Sequence, residues 1–144
     1  MQAPKSMIDS HDDHAQIVKV LKIYFDGWHY GDPERLKRVF HPSCHLYCAI
    51  GGELDDDGME KVYAYVAVRP SPKSLGTPRR DRILTIDLSG AGAACAKVQL
   101  LINGKLFTDY LSLLRLDEDW RIVAKTFSHV PVSDEPPATA PTAA

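Results

Sequence analysis

The chain has 144 residues, 44% hydrophobic and 25% charged, with a formal net charge of −2 and three cysteines. This is the composition of one soluble globular domain with its own core, and it leaves no electrostatic footprint for nucleic acid or a membrane surface. The odd cysteine count predicts reduced thiols in a cytoplasmic protein, and the opening Met1-Gln-Ala-Pro-Lys-Ser-Met7 lacks the apolar run of a signal peptide.

Residues 1–9 read as a flexible lead-in to a single domain over 10–130. Ser10 is placed to cap a first helix, with Asp12 and Asp13 complementing its dipole and the flanking histidines solvated. Ile17, Leu21, Tyr24 and Trp28 recur at helical spacing, widened by Val18 and Phe25. Gln16, Lys19, Lys22, Asp26 and His29 take the wet side. Gly31 ends this helix, and Asp32-Pro33 restarts a short one that His41-Pro42 closes. A strand over 44–50 turns at Gly51-Gly52, and Asp55-Asp-Asp-Gly58 opens a third helix carrying Met59, Val62, Tyr63 and Val66. A basic, Pro-rich loop runs from Arg69 to Arg82.

Strands follow at about 81–88, 93–102, 105–116 and 120–128. Asn103-Gly104 is the strongest hairpin signal and fixes a register in which Cys95 faces Ser112, Lys97 faces Tyr110 and Val98 faces Asp109. Carried through a three-residue turn, Asp117-Glu118-Asp119, it sets Ala124 opposite Ser112 and Thr126 opposite Tyr110. One face then carries Ala94, Ala96, Val98, Leu100, Phe107, Leu111, Leu113, Val123 and Phe127, with Asp109 and Lys125 as a diagonal ion pair. The other mixes Cys95, Lys97, Gln99, Tyr110, Ser112, Leu114, Ile122, Ala124 and Thr126. Apolar content on both faces calls for cover on both: helices on the second, and a second copy of the chain on the first, giving a homodimer through an apolar outer sheet face. From Val130 onward the Pro/Ala-rich chain is expected to be disordered, 131–144 forming a tail.

Helix, short helix, strand, helix and a curved sheet closing on a Trp hairpin resemble the nuclear transport factor 2-like (cystatin-like) fold. Tyr24-Phe25, Gly31-Asp32, Leu36, Phe40-His-Pro42, Asp109-Tyr-Leu-Ser-Leu113 and Trp120-Arg-Ile-Val-Ala-Lys125 resemble the family called putative lumazine-binding, close to SnoaL-like polyketide cyclases and ketosteroid isomerases. The resemblance spans residues 12–129 and departs at Asp117-Glu118-Asp119, where a Gly is usual. It implies an α+β cone, three N-terminal helices packed on a curved, mostly antiparallel sheet, with a pocket between the long helix and the concave face. It also carries the isomerase pocket tyrosine onto Tyr24, the general base onto Cys48 and the acidic oxyanion donor onto Ser112. Two of these three have changed chemistry, so ketosteroid isomerisation is not expected.

The candidate catalytic residues are therefore Tyr24, Cys48 and Ser112, in a pocket walled by Trp28, Tyr63, Leu114 and Ala124 with Tyr110 as a further polar point. Tyr24 reads either as a packed core tyrosine or as a donor to a ligand carbonyl. Cys48 reads as a small buried hydrophobe or a nucleophile, and His129 as a terminal histidine or a base at the rim. His41, Cys44, His45 and Cys48 superficially suggest zinc, but strand alternation sends Cys44 and Cys48 away from His45, so no metal is expected. The loop over 69–82 reads as solvated, or as attracting an anionic ligand. The expected function is a pocket for a small apolar cyclic or heteroaromatic molecule, as ligand or as substrate of a cofactor-independent isomerase, cyclase or dehydratase. The alternative is a non-catalytic dimeric accessory module with a side-chain-filled pocket.

Overall fold

The computed structural model describes residues 10–132. The expectations for residues 1–9 and for the tail from 133 on lie outside the described residues, as does the side chain of Ser10 on which its cap rests. In chain order the elements are α1 (Ser10–Tyr30), α2 (Pro33–Lys37), β1 (His45–Ile50), β2 (Glu53–Gly58), α3 (Met59–Val68), β3 (Arg82–Leu88), β4 (Ala93–Ile102), β5 (Lys105–Leu116) and β6 (Asp119–Pro131). The strands form one curved mixed sheet in the order β2-β1-β6-β5-β4-β3, antiparallel except where β1 runs parallel to β6.

The α1 stripe behaves as its spacing dictates. Ile17, Leu21 and Tyr24 are fully buried, with Phe25 and Trp28 nearly so. Two polar residues join them against expectation. Asp13, in the first turn of α1 as expected, is also buried, accepting from Arg115 Nη1 at 2.6 Å and from the Trp120 indole at 3.2 Å. His29 is also buried, and that burial lowers its pKa. Gly31 ends α1 at φ +61, and Asp32 caps α2 through the amides of Glu34 (3.0 Å) and Arg35 (3.3 Å).

The acidic run is not a helix start. Glu53–Gly58 pairs with β1 as an edge strand, and α3 begins only at Met59. Three aspartates carry little strand propensity, but repeated charge is how natural edges avoid pairing with other chains.

The hairpin register holds: Cys95 pairs with Ser112, Lys97 with Tyr110 and Val98 with Asp109. Tyr110 and Ser112 pair in turn with Thr126 and Ala124. The closing turn differs. Leu116 pairs with Asp119, so the loop is the two residues Asp117 and Glu118, with Asp117 at φ +58. The extra residue is absorbed as a bulge at Val123, since Ser112 pairs with Ala124 but Leu113 with Ile122. That bulge turns Ile122, expected on the other face, into the fully buried neighbour of Leu113. β6 also continues to Pro131, pairing Val130 with Leu106, so order extends past the expected boundary.

The assignment of faces is reversed. Ala96, Val98, Asp109, Leu111 and Leu113 are buried together with the α1 and α3 side chains, so the Asp109–Lys125 face lies under the helices. Cys95, Tyr110, Ser112, Leu114 and Thr126 are exposed on the outer face. The decisive quantity is relative apolarity: the face with fewer polar side chains is the one the amphipathic helices cover.

Candidate functional site

A cavity of about 430 Å³ opens between α1, α3, the β1–β2 hairpin and the inner face of β5 and β6. Its apolar walls include Trp28, Leu46, Ile50, Val62, Phe107 and Phe127, and its volume lies in the range of small-molecule sites. Asp55, Asp57, Lys61, Arg69, Lys105 and His129 supply charged or titratable groups, none of them buried. Lys125 is different: it lines the same cavity at 5% exposure.

Strand pairing explains its place. The parallel β1–β6 pair sets Lys125 beside Leu46, and alternation brings Cys48 and Phe127 onto the same face. Lys125 Nζ lies 3.2 Å from Asp109 Oδ2 and over three rings, 4.6 Å from the centroid of Trp28, 5.0 Å from Phe127 and 5.3 Å from Tyr24. Asp109 is fully buried; its Oδ2 accepts the Tyr24 hydroxyl in a short hydrogen bond, and its Oδ1 has no partner. The result is a buried line of proton-bearing groups, Tyr24–Asp109–Lys125, whose last member lines the cavity.

Burial sets the electrostatics here. It lowers the Lys125 pKa against the opposing pull of Asp109. It raises Tyr24 well above the ordinary phenol value, with the Asp109 charge acting in the same direction. Burial pushes the neighbouring Cys44 thiol up to about 12. Cys48 is raised by burial and then by Asp55, whose Oδ2 lies 3.9 Å from Sγ, so this thiol is not activated toward thiolate.

The expected site residues separate into groups. Trp28 and Cys48 line the cavity, and His129 lies at its edge, its ring 4.8 Å from that of Phe107. Tyr24 is one layer behind, touching Asp109 instead of the space a ligand would fill. Tyr63 packs against the core beside Lys37, whose Nζ sits 5.3 Å from its ring centroid, and is not part of the lining. Tyr110, Ser112, Leu114 and Ala124 lie on the outer face, so they do not share a pocket with Tyr24. The face reversal accounts for this displacement.

The hypothetical zinc cluster is likewise dispersed. Cys44 is in the core, Cys48 in the cavity, His45 Nδ1 is 2.6 Å from Asp56, and His41 Nδ1 accepts from the Ser43 amide. No group of three or more His, Cys, Asp or Glu able to hold a metal ion occurs among the described residues. Of the basic loop, Arg69 reaches the cavity, with its guanidinium 5.9 Å from the Trp28 ring centroid, while Arg79 is held by Asp26 and Asp81. Lys125 is what the functional reading of the sequence missed; for Asp109 the sequence allowed a catalytic role only if the opposite face were the outer one, which is how the faces lie. Two opposite charges embedded in the more apolar sheet face were the signal.

No helix among the described residues is long and apolar enough to cross a membrane. The model of the family described as putative lumazine-binding matches residues 12–128. An aldolase, FrzH, from a Cladobotryum species is 21% identical over 121 residues, covering 83% of this chain and 93% of that protein. An NTF-2 like protein of unknown function from Silicibacter pomeroyi has a TM-score of 0.75 at 21% identity, covering 84% of this chain and 98% of its own. A second NTF2-like protein of unknown function, from Methylobacillus flagellatus, has a TM-score of 0.70 at 28% identity, with 83% and 93% covered.

Proposed function

The chain belongs to the putative lumazine-binding family, and we infer that it binds a small apolar cyclic or heteroaromatic molecule in the cavity beneath α1 and α3. Lys125 receives a carbonyl or anionic group of that molecule. The observation that carries this reading is the buried Lys125 side chain lining a cavity whose walls include Trp28, Phe107 and Phe127, while the other charged groups of the lining are not buried. An ammonium has three donors and the Asp109 pair occupies one of them, so an incoming oxygen meets a charged donor already stripped of water. In a low-dielectric site such a donor stabilises negative charge far better than in water.

That arrangement suits a cofactor-independent isomerase, cyclase or dehydratase, in which charge develops on a carbonyl oxygen as a neighbouring proton leaves. Lys125 takes the electrophile's role expected of Tyr24, and Cys48, Asp55 or His129 border the space where a base would act. The distant relative named as an aldolase supports carbonyl chemistry of this kind. A side-chain-filled accessory module accords less well with an open volume of about 430 Å³.

A thermal-shift panel of steroids, aromatic polyketides, lumazines, flavins and aryl acids tests the reading. A ligand at a hundred times its Kd stabilises by about 2.7 kcal/mol, several degrees for this size. A hit abolished by a Trp28 or Phe127 substitution supports the cavity, and a flat response to every class contradicts it.

We further propose that the outer face, where Tyr110 and Leu114 are exposed, pairs with a second copy of the chain. Light scattering should give a dimer mass that Leu114→Asp halves; a wild-type monomer mass would exclude this assembly.

A further inference from the structure

We propose that Lys125 is a carbonyl-capturing nucleophile, forming an iminium with an aldehyde or ketone held in the cavity. This rests on the cavity reading above, replaces the charged-donor role of Lys125 with that of a free amine, and names the substrate class. Three observations converge on it. Lys125 lines the cavity although its side chain is buried. Its counter-ion is a fully buried carboxylate 3.2 Å away with one oxygen, Oδ1, unpartnered. Trp28, Phe127 and Tyr24 enclose the ammonium in rings, which exclude water without accepting a proton.

A buried ion pair is costly to hold in charged form, and proton transfer from Nζ to Asp109 converts it into a neutral amine and a neutral acid without exposing either. The free amine is the nucleophilic species. Nζ adds to the carbonyl carbon, the C=O electron pair moves to oxygen, and that oxygen takes up a proton to give a carbinolamine. Loss of water then forms the C=N bond. The proton passed to Asp109 is returned in these steps, so the products are one iminium and one water, with Asp109 again its carboxylate counter-ion. No oxidant or reductant takes part. Asp109 and Tyr24 act through Lys125 and are positioning residues, since neither lines the cavity. The direction of the Lys125 pKa, lowered by burial, is the one this chemistry needs.

Reductive trapping tests the inference on the full chain. The protein is incubated with 2-naphthaldehyde and cyanoborohydride, and each lysine-bearing peptide is followed by mass spectrometry. The Lys125 peptide should be alkylated about tenfold or more faster than those of exposed Lys19, Lys22 and Lys73, saturably in probe. Lys125→Arg, which keeps the charge beside Asp109, should lose that labelling; in the wild-type protein 2-naphthylmethanol, which cannot form an imine, should quench tryptophan fluorescence, and Trp28→Phe should remove that quenching. In Asp109→Asn the pH dependence of Lys125 labelling should move, which a purely structural role for Asp109 would not produce. Quenching by the alcohol with labelling spread evenly over surface lysines overturns the iminium but leaves the pocket standing. Neither quenching nor selective labelling overturns both.

Discussion

Replacing Lys125 with Met removes the ammonium but keeps the volume, and leaves Asp109 charged, fully buried and bonded only to the Tyr24 hydroxyl. Breaking a buried pair by deleting one partner costs about 3–5 kcal/mol, because the remaining charge stays desolvated without compensation. For a domain of this size that lowers Tm by about 10–20 °C. The double variant Lys125→Met, Asp109→Asn removes both charges and keeps an acceptor for Tyr24. It should return to within about 1–2 kcal/mol of wild type, since exchanging a buried ion pair for neutral groups is often nearly neutral. Urea unfolding of the four proteins of this cycle at constant pH measures the coupling directly. A single-variant loss below about 1 kcal/mol, the size found for exposed pairs, would refute the placement of this pair in the interior. Failure of the double variant to recover would refute the charge-compensation account.

Three other perturbations follow from the packing. Asp13→Ala leaves Arg115 and the Trp120 indole without their acceptor and should cost about 2–3 kcal/mol in urea unfolding, with Asn recovering part of it. Gly27→Ala sets a methyl 2.5 Å from Leu36 Cδ2 and 2.8 Å from its Cγ, and Leu36 is fully buried. The resulting overpacking of about 1–3 kcal/mol should outweigh the gain of about 1 kcal/mol in helix propensity, so a rise in Tm would contradict the α1–α2 contact. The Cys44 thiol, raised from 9.0 to about 12, contributes stability that is complete below pH 9 and is lost as pH rises toward 12. Between about pH 9.5 and 10.5 wild type should lose up to about 1.4 kcal/mol more than Cys44→Ala, and parallel pH profiles would remove that contribution. The lowered Lys125 pKa gives a slope of opposite sign, with stability rising as pH climbs from the folded value toward 10.5.

Where local physics dominates, the sequence was legible. Asn103, at φ +48, and Gly104, at φ +82, take the left-handed conformations of a two-residue turn, and the whole β4–β5 register follows from them. Gly31, Asp32 and Pro33 mark the α1–α2 junction because chain reversal and capping need those residues. β2 was illegible because its acidic sequence reflects edge protection and not strand propensity. The site was misread for two linked reasons. The face that the helices cover is the opposite one, which carries Tyr110, Ser112, Leu114 and Ala124 outward although their register holds, and a bulge at Val123 moves only Ile122 to the inner face. The Asp109–Lys125 pair looked like a solvent-side or interface feature because buried charges are rare, yet pairing is the condition under which they are tolerated inside.

The central claim, that the ligand occupies the space bordered by Lys125 and not the outer sheet face, is tested most directly by NMR mapping. Amide and side-chain shifts would be followed while a thermal-shift hit, or 2-naphthylmethanol, is titrated into the labelled protein. The structure predicts saturable changes concentrated at Trp28, Cys48, Phe107, Lys125 and Phe127, with Tyr110, Ser112 and Leu114 unmoved. Changes centred on Tyr110, Ser112 and Leu114, with Lys125 and Phe127 silent, would place binding on the opposite face and contradict the account.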